Sequence, residues 1–274
     1  MRLVRRRAVA AAGAMAAVAL LARALGAGAQ TGALARIRRR GHLVAGVPLW
    51  LPPFGAPAPG GGWSGLDAAA ARAVAASVLG NPARAHLLPL TPGERRWAVR
   101  SGAADLVAAA FSAPDSGAGG QGVALVGPYF TDALALLVRR DAPARLWSGL
   151  DGQRLAVLTG SGAGRLVRAA AGRRATPVVE EVASAAVAAQ AIALGDLRGL
   201  VAATVVCQAL AVYDPALTLQ TLPGVGLERY WVLVSAAAPD VAAAVRQGLE
   251  TLPRGRQLRA ALRQWAVEGA QPPF

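Results

Sequence analysis

The stretch that most constrains this chain joins a short apolar run to a stiff loop. Residues 43–47 read Leu-Val-Ala-Gly-Val, which has the length and composition of one buried strand. Pro52–Pro53 follow, and because proline cannot donate a hydrogen bond to a neighbouring strand, the chain must leave the sheet there. Ligands of open α/β sheets bind where strands end. The sequence therefore predicts a binding site beside Trp50 and Phe54 in this loop.

Strand-length and helix-length patterns alternate along the rest of the chain. Further strands are predicted at 86–90, 105–111, 126–138, within 150–158, at 199–206 and at 230–234, with 126–138 as one long strand. Helices are predicted at 34–40, 67–79, 92–101, 183–194 and 239–267, and another after the glycine-rich loop 160–164. Because strand and helix alternate and the order restarts near residue 150, the pattern favours α/β units over an all-β or all-helical fold.

Two helix starts carry specific signals. Thr91, Pro92 and Glu94 form the pattern of a capping box with proline at the first helical position. Asp67 is predicted to cap the preceding helix, because a carboxylate at that place accepts hydrogen bonds from unpaired backbone amides. Both signals fix where a helix leaves a loop next to the expected binding edge.

Residues 1–29 have the composition of a secretory signal peptide. Arginines at 2 and 5–7 precede an apolar run that ends near residue 22, and 27–29 is a small-residue cleavage pattern. We therefore expect export by the Sec or the twin-arginine route, and a mature periplasmic chain that begins at or near Gln30. A signal anchor is the alternative. No later apolar stretch is long enough to cross a bilayer, so no stable membrane insertion is expected after removal of the signal.

Catalytic and cofactor-binding patterns are incomplete. The glycines of 160–164 lack the spacing of nucleotide-binding loops, and Ser161 lacks the context of a hydrolase nucleophile. His42 and His86 are the only histidines and lie in or beside predicted strands, so neither a histidine-based triad nor a zinc site is expected. Cys207 stands alone and is predicted to be a small buried core residue. We expect a protein that is not an enzyme, with no metal and no cofactor.

The formal net charge is +14, and because the chain has no lysine, arginine supplies all of the positive charge. The arginines cluster at 38–40, 95–96, 139–140 and 173–174. Aromatic residues are few and are not interleaved with these clusters, unlike in a nucleic-acid-binding surface. The predicted location outside the cytoplasm also argues against a nucleic-acid partner. We therefore expect a solvated basic surface and no nucleic-acid partner.

Seven short motifs stand in the order and spacing of one known family. They lie at 40–44, 65–67, 101–105, 128–129, 150–152, 157–161 and 194–195. Together they resemble the periplasmic solute-binding proteins of the polar-amino-acid type (family 3), which serve ABC importers. The resemblance implies a two-lobed, type II-like α/β fold, with mixed sheets, helices on both faces and two hinge crossings, that closes around a ligand. It places lobe one at 34–132 and 225–274, and lobe two at 136–224.

The charged ligand clamps of that family are missing from the matching positions. Members that bind amino acids hold the carboxylate with an arginine and the ammonium with carboxylates from both lobes. The resemblance places the first acid at Pro48, its aromatic neighbour at Leu51, the arginine at Ser116 or Gly117, and the second acid at Ala203 or Thr204. Because a buried zwitterion without partners is costly, we expect common α-amino acids to bind poorly.

The solute is instead expected to be small and polar or partly apolar. The ligand-binding residues predicted from the strand ends and the matching motifs are Trp50, Phe54, Ser112, Ser116, Thr159, Ser161 and Thr204. The resemblance leaves two roles open. One is transport, with an ABC importer permease as partner. The other is an accessory role beside a periplasmic quinoprotein dehydrogenase, which the loss of the clamps also fits. Neighbouring genes for a permease or for a dehydrogenase would distinguish them.

Overall fold

The computed structural model describes residues 32–58, 60–112, 120, 122–142, 147–172 and 174–252. The predicted signal peptide, the predicted site residue Ser116 with its neighbour Gly117, and the predicted helical stretch beyond residue 252 lie outside these ranges. The helices are α1 (Ala33–Arg40), α2 (Leu66–Leu79), α3 (Arg95–Ser101), α4 (Ala163–Ala171), α5 (Ala185–Leu194), α6 (Thr204–Tyr213) and α7 (Pro239–Glu250). The strands are β1 (Leu43–Pro48), β2 (Ala56–Pro57), β3 (Trp63–Ser64), β4 (Ala85–Leu90), β5 (Leu106–Ser112), β6 (Val123–Asp132), β7 (Leu134–Arg139), β8 (Arg154–Leu158), β9 (Val178–Val182), β10 (Gly199–Ala203), β11 (Leu217–Thr221) and β12 (Glu228–Ser235).

Two five-stranded mixed sheets form the framework. The first has the order β4-β1-β5-β12-β6, in which β1 is parallel to β4 and β5, and β12 is antiparallel to both of its neighbours. The second has the order β11-β7-β10-β8-β9, in which β8 is parallel to β9 and β10, and β7 is antiparallel to both of its neighbours. We call the first sheet with its helices lobe one, and the second with its helices lobe two.

The predicted two-lobed α/β fold is confirmed. The chain passes from the first sheet to the second at Ala133, between β6 and β7, and returns between β11 and β12. After β12, helix α7 packs so closely on α2 of lobe one that a Cβ atom at Gly248 would lie 2.7 Å from the backbone of Val74. The carboxylate of Asp240 on α7 also accepts a hydrogen bond from the backbone amide of Leu34 at the start of α1.

The single long strand predicted at 126–138 is wrong. It is two strands, because β6 pairs with β12 in lobe one whereas β7 pairs with β10 and β11 in lobe two. The polar pair Thr131–Asp132 marks the boundary between them, and the Asp132 carboxylate accepts hydrogen bonds from the amides of Ala133 and Val205 and so stabilises the crossing. In the two five-stranded sheets, β9 and β11 were not predicted, and both are edge strands with alternating or polar sequences. The two-residue strands β2 and β3 were not predicted either.

The strand predicted at 199–206 ends earlier, at Ala203, and α6 begins at Thr204. The apolar run continues through this boundary because both the strand and the inner face of the helix are buried. Cys207 lies on that helix face and is fully buried and unpaired, as predicted. Burial raises the pKa of its thiol to about 12.

The prediction that Asp67 caps α2 is also wrong. The cap residue is Gly65, and Asp67 lies inside the helix with a fully buried side chain. Its carboxylate accepts hydrogen bonds from the hydroxyl of Tyr129 and from the backbone amide of Ala110, 2.8 Å away. Ala110 has a φ of 47°, which is unusual for a residue other than glycine. Asp67 therefore stabilises a strained residue inside β5, two residues before the strand ends at Ser112.

The capping box predicted at Thr91 is confirmed. The backbone amide of Thr91 donates a 2.8 Å hydrogen bond to the Glu94 carboxylate, and α3 follows directly. Within the described ranges, no helix is both long and apolar enough to cross a membrane.

Candidate functional site

The carboxyl ends of six parallel strands meet at the boundary between the lobes. In lobe one, β1, β4 and β5 end at Pro48, Leu90 and Ser112. In lobe two, β8 and β9 end directly before Thr159 and Ala183, and β10 ends at Ala203, directly before α6. These are the edges at which open α/β sheets bind ligands, and here the two edges face each other.

A small inner cavity lies between the lobes. Its volume is about 20 Å³, which is room for about one water molecule. Lobe one lines it with Leu51, Phe54, Arg95, Ala110, Glu228 and Tyr230, and lobe two with Leu158, Thr159, Ser161, Ala202, Ala203 and Val206. The lobes are therefore closed upon one another in this structure.

A larger outer groove opens beside the inner cavity. Its volume is about 160 Å³. Lobe one lines it with Pro48, Leu49, Trp50, Leu51, Leu90, Thr91, Pro92 and Arg95, and lobe two with Leu158, Ala183 and Ser184. Leu51, Arg95 and Leu158 line both spaces, so the groove and the cavity are two parts of one interlobe cleft.

Arg95 is the cation of this cleft. It is the first residue of α3, directly after the capping box, and only 6% of its surface is exposed. Its guanidinium reaches toward lobe two, where Nη1 lies 3.5 Å from the place a Cβ atom would take on Gly160. Among the described residues, its buried Nε has no hydrogen-bond partner and the side chain forms no salt bridge.

The charge of Arg95 survives its burial. Desolvation lowers the pKa of Arg95 to about 10, against the attraction of Asp67, Tyr129 and Tyr230. The guanidinium therefore stays protonated near neutral pH. The cluster 95–96 was predicted to belong to a solvated basic surface, and for Arg95 that prediction is wrong, because its side chain is buried in the cleft. The signal that could have found it is its place, because it follows the recognised capping box at the carboxyl end of β4.

Glu228 is the buried carboxylate of the cleft. It begins β12, and 3% of its surface is exposed. Its Oε1 accepts hydrogen bonds from the Ser112 hydroxyl at 2.5 Å and from the Gly162 amide at 2.8 Å, and its Oε2 accepts one from the Tyr230 hydroxyl at 2.6 Å. Because Gly162 belongs to lobe two, this carboxylate joins the lobes. Glu228 was not predicted as a cleft residue, because the strand was predicted to begin at Tyr230.

Four of the predicted site residues line the cleft directly. Phe54 lines the inner cavity and packs edge-on against Phe130, while Thr159 and Ser161 line it from lobe two. Trp50 lines the outer groove and contacts Tyr213 of lobe two edge-to-face, with 6.5 Å between ring centroids. The loop after β1 therefore faces lobe two as well as its own lobe.

Ser112 and Thr204 are engaged with the protein itself. The Ser112 hydroxyl bonds to Glu228 and accepts a hydrogen bond from the Gly162 amide at 2.7 Å. The Thr204 hydroxyl donates to the carbonyl of Ala133 at 3.0 Å, beside the crossing between the lobes. Ser112 thus lies at the interlobe contact, and Thr204 lies at the hinge. That either residue contacts a ligand stays a prediction.

Three of the positions that the resemblance assigned to the missing clamps and their aromatic neighbour face the cleft, and the arginine position at Ser116 or Gly117 lies outside the described residues. Pro48 lines the outer groove, Leu51 lines both spaces, and Ala203 lines the inner cavity. None of the three can carry a charge, so Arg95 and Glu228 supply the charges of the cleft from other positions. The partly apolar solute expected from the sequence stays a prediction.

The two histidines lie away from the cleft. His42 precedes β1 and stacks on His86, with ring centroids 4.2 Å apart. Both are near the amino end of β1, whereas the cleft lies at its carboxyl end. In the part of the chain that the structure describes, no group of three or more metal-ligating side chains comes together.

Comparison with known proteins agrees with this architecture. The Glutamate/glutamine/aspartate/asparagine-binding protein BztA of Rhodobacter capsulatus is 32% identical over 144 residues, which are 53% of this chain and 42% of that protein. The putative amino-acid ABC transporter-binding protein YhdW of Escherichia coli is 30% identical over 125 residues, 46% of this chain and 37% of that protein. The chain thus spans well under half the length of these curated relatives.

The solved structure of a solute receptor for L-cysteine from Neisseria gonorrhoeae has the same fold. Its TM-score is 0.71 at 22% identity, and the match covers 87% of this chain and 97% of that one. Residues 43–268 match the sequence family of bacterial extracellular solute-binding proteins, family 3. This match spans both lobes and both crossings. The chain belongs to the bacterial extracellular solute-binding proteins of family 3.

Proposed function

We propose that this protein is the periplasmic solute-binding component of an ABC importer, and that its solute is a small organic anion with one carboxylate and an apolar body. The observation that carries the proposal is Arg95, a buried cation between the inner cavity and the outer groove whose Nε has no hydrogen-bond partner among the described residues. A guanidinium in that condition is poorly solvated, so an entering carboxylate gains a strong charge-assisted contact.

The outer groove suits the rest of such a solute. Leu49, Trp50 and Leu90 face it from lobe one, and Leu158 and Ala183 face it from lobe two. Burial of an apolar body there stabilises the complex by roughly 25 cal/mol per Å². The volume of about 160 Å³ favours a molecule of the size of an amino acid over a drug-sized ligand.

The ammonium of an amino acid finds less compensation in this cleft. The carboxylate of Glu228 already accepts hydrogen bonds from Ser112, Gly162 and Tyr230. That of Asp67 is fully buried and bonded within lobe one. The relatives named above are called amino-acid-binding proteins. The proposed solute shares their ligands' carboxylate and lacks the charged amine.

Pairs of compounds that differ only in the ammonium group test this proposal. Calorimetry would compare L-leucine with 4-methylpentanoate, and L-phenylalanine with 3-phenylpropanoate. We expect the carboxylate of at least one pair to bind ten times or more tightly than its amino acid, about 1.4 kcal/mol. Tighter binding of the amino acid would show that the cleft does supply partners for the ammonium. No binding by any member would contradict the proposed solute class.

Replacement of Arg95 by glutamine is expected to weaken binding of the preferred carboxylate by about a hundredfold, because one charge-assisted contact is worth up to about 3 kcal/mol. The matched control is Arg100→Gln, since Arg100 lies on the same helix and is exposed. We expect the control to bind like wild type in the same calorimetric titration. Equal affinities of the two variants would place the carboxylate elsewhere.

An importer permease is the partner that this function requires. The predicted signal peptide and the extracellular address of the family both support a periplasmic location. Neither the family nor the relatives named above supports the alternative role beside a quinoprotein dehydrogenase.

A further inference from the structure

The carboxylate of Glu228 bridges the two lobes inside the cleft. Glu228, Ser112 and Tyr230 belong to the first sheet, whereas Gly162 precedes α4 of lobe two. The Glu228 Oε1 atom accepts from the Gly162 amide at 2.8 Å, and the same amide lies 2.7 Å from the Ser112 Oγ atom. Three donors thus surround one carboxylate, and one of the three belongs to the opposite lobe.

This arrangement is buried and electrostatically favourable. Glu228 and Ser112 are 3% and 5% exposed. Gly162 is the N-terminal cap residue of the nine-residue helix α4, where the helix dipole and unpaired amides favour a negative charge. Arg95, which is itself almost fully buried and has an unpartnered Nε, lines the same cavity as Glu228. The surroundings of Glu228 are those of a bound anion.

In a protein that closes around its solute, the solute is ordinarily the group that contacts both lobes. We propose that the Glu228 carboxylate acts as an internal ligand: it occupies a carboxylate seat formed by Ser112, Gly162 and Tyr230, holds the lobes together without solute, and excludes solute carboxylates from this seat. A solute carboxylate must then bind at Arg95. Glu228 thereby determines which end of a solute the cleft accepts.

The seat can be emptied by one substitution and refilled from solution. Glu228→Ala keeps the Cβ atom and deletes a fragment equivalent to acetate, while the hydroxyls of Ser112 and Tyr230 and the amide of Gly162 remain. Without the carboxylate the contact between the lobes loses its common acceptor. Acetate restores both the charge and the shape, whereas its neutral isostere acetamide restores only the shape.

The experiment measures the distance between the lobes in the absence of solute. Spin labels are attached after Ser77→Cys on α2 and Gln190→Cys on α5, two exposed positions on helices of different lobes. Cys207 is buried and unreactive toward labels. Pulsed electron resonance then gives the distance distribution for wild type, for Glu228→Ala, and for Glu250→Ala, in which an exposed glutamate of lobe one is removed.

We expect wild type and Glu250→Ala to show one short distance that acetate leaves unchanged. Glu228→Ala is expected to shift its main population to a longer distance, and acetate, but not acetamide, is expected to restore the short one. Restoration would also show that the variant is folded. A long distance in solute-free wild type, a short distance in Glu228→Ala, or no response of this variant to acetate would overturn the proposal.

The part of this inference that directs a solute carboxylate to Arg95 rests on the proposed function, whereas the part in which Glu228 holds the lobes together does not. The lobe distance is measured without solute and with Arg95 intact. If the distance measurement shows that Glu228 does not hold the lobes together, the prediction of carboxylate binding at Arg95 is unaffected. If calorimetry shows no carboxylate binding, the result of the distance measurement is still valid.

Discussion

Replacement of Gly65 by alanine is expected to destabilise the protein by about 3 kcal/mol or more. Gly65 has φ 117° and ψ 178°, a conformation that is essentially restricted to glycine and costs other residues about 1 to 3 kcal/mol. A Cβ atom there would also lie 2.4 Å from the carbonyl oxygen of Phe54 and 2.8 Å from that of Pro53. Backbone atoms cannot rotate out of the way, so overpacking adds a further cost of about 1 to 3 kcal/mol.

The close approach at Gly65 has a reason in the site. The first amides of α2 donate to the loop that follows β1, Leu66 to the carbonyl of Pro53 and Asp67 to that of Phe54, at 3.0 and 2.8 Å. These bonds satisfy backbone amides of the first turn of α2 and fix the Phe54 ring beside the inner cavity. Gly65→Ala should therefore also reduce solute binding.

Gly80→Ala is the matched control for Gly65→Ala. Gly80 ends the same helix with φ 71°, and nothing lies within 4 Å of an added Cβ atom. Its replacement should cost only the left-handed backbone conformation, about 1 to 2 kcal/mol. Urea unfolding of both variants measures the difference. If Gly65→Ala is no less stable than Gly80→Ala, the contact with the Phe54 carbonyl does not constrain this position.

The buried strands could be predicted from the sequence because their apolar runs are bounded by glycine, proline or a helix cap. β1 and β5 are nearly fully buried and were found within one or two residues. β9 and β11 were not, since edge strands bury less and their composition does not differ from that of a loop. The crossing at Ala133 was not predicted either. Both flanking strands carry apolar runs, and what distinguishes them is that they pair with strands of different sheets.

The charged residues of the cleft could not be predicted by matching family positions. Positions that carry the family's clamps hold Pro48 and Ala203, and the cleft instead takes its charges from Arg95 and Glu228. Arg95 comes from a helix start and Glu228 from a strand after the second crossing. The sequence separates them by more than a hundred residues, and only the closed lobes bring them to the same cavity.

Asp67 is expected to make the stability of the protein fall as the pH rises from about 4 to 7. Burial raises the pKa of Asp67 from 3.8 to about 7, against the hydrogen bonds from Tyr129 and Ala110 and the attraction of Arg95. Because the folded pKa lies above the unfolded one, the folded state binds the proton more tightly. The stabilisation is complete below the unfolded pKa and is lost as the pH rises through the folded pKa. Three pKa units correspond to about 4 kcal/mol.

Asp67→Asn removes this titration while keeping the shape of the side chain, so its stability relative to wild type should increase by about 4 kcal/mol between pH 4 and pH 8. Urea unfolding at several pH values measures the difference, with Asp141→Asn as control. Asp141 is exposed, and its hydrogen bond with Arg139 holds its pKa below the usual value of 3.8, so both its folded and its unfolded titrations lie below the range tested and the control should run nearly parallel to wild type between pH 4 and pH 8. Parallel pH profiles for wild type and Asp67→Asn would show that the carboxyl bonded to Ala110 is not desolvated. The strained backbone at Ala110, and with it the placement of Ser112 at the cleft, would then need another source of stabilisation.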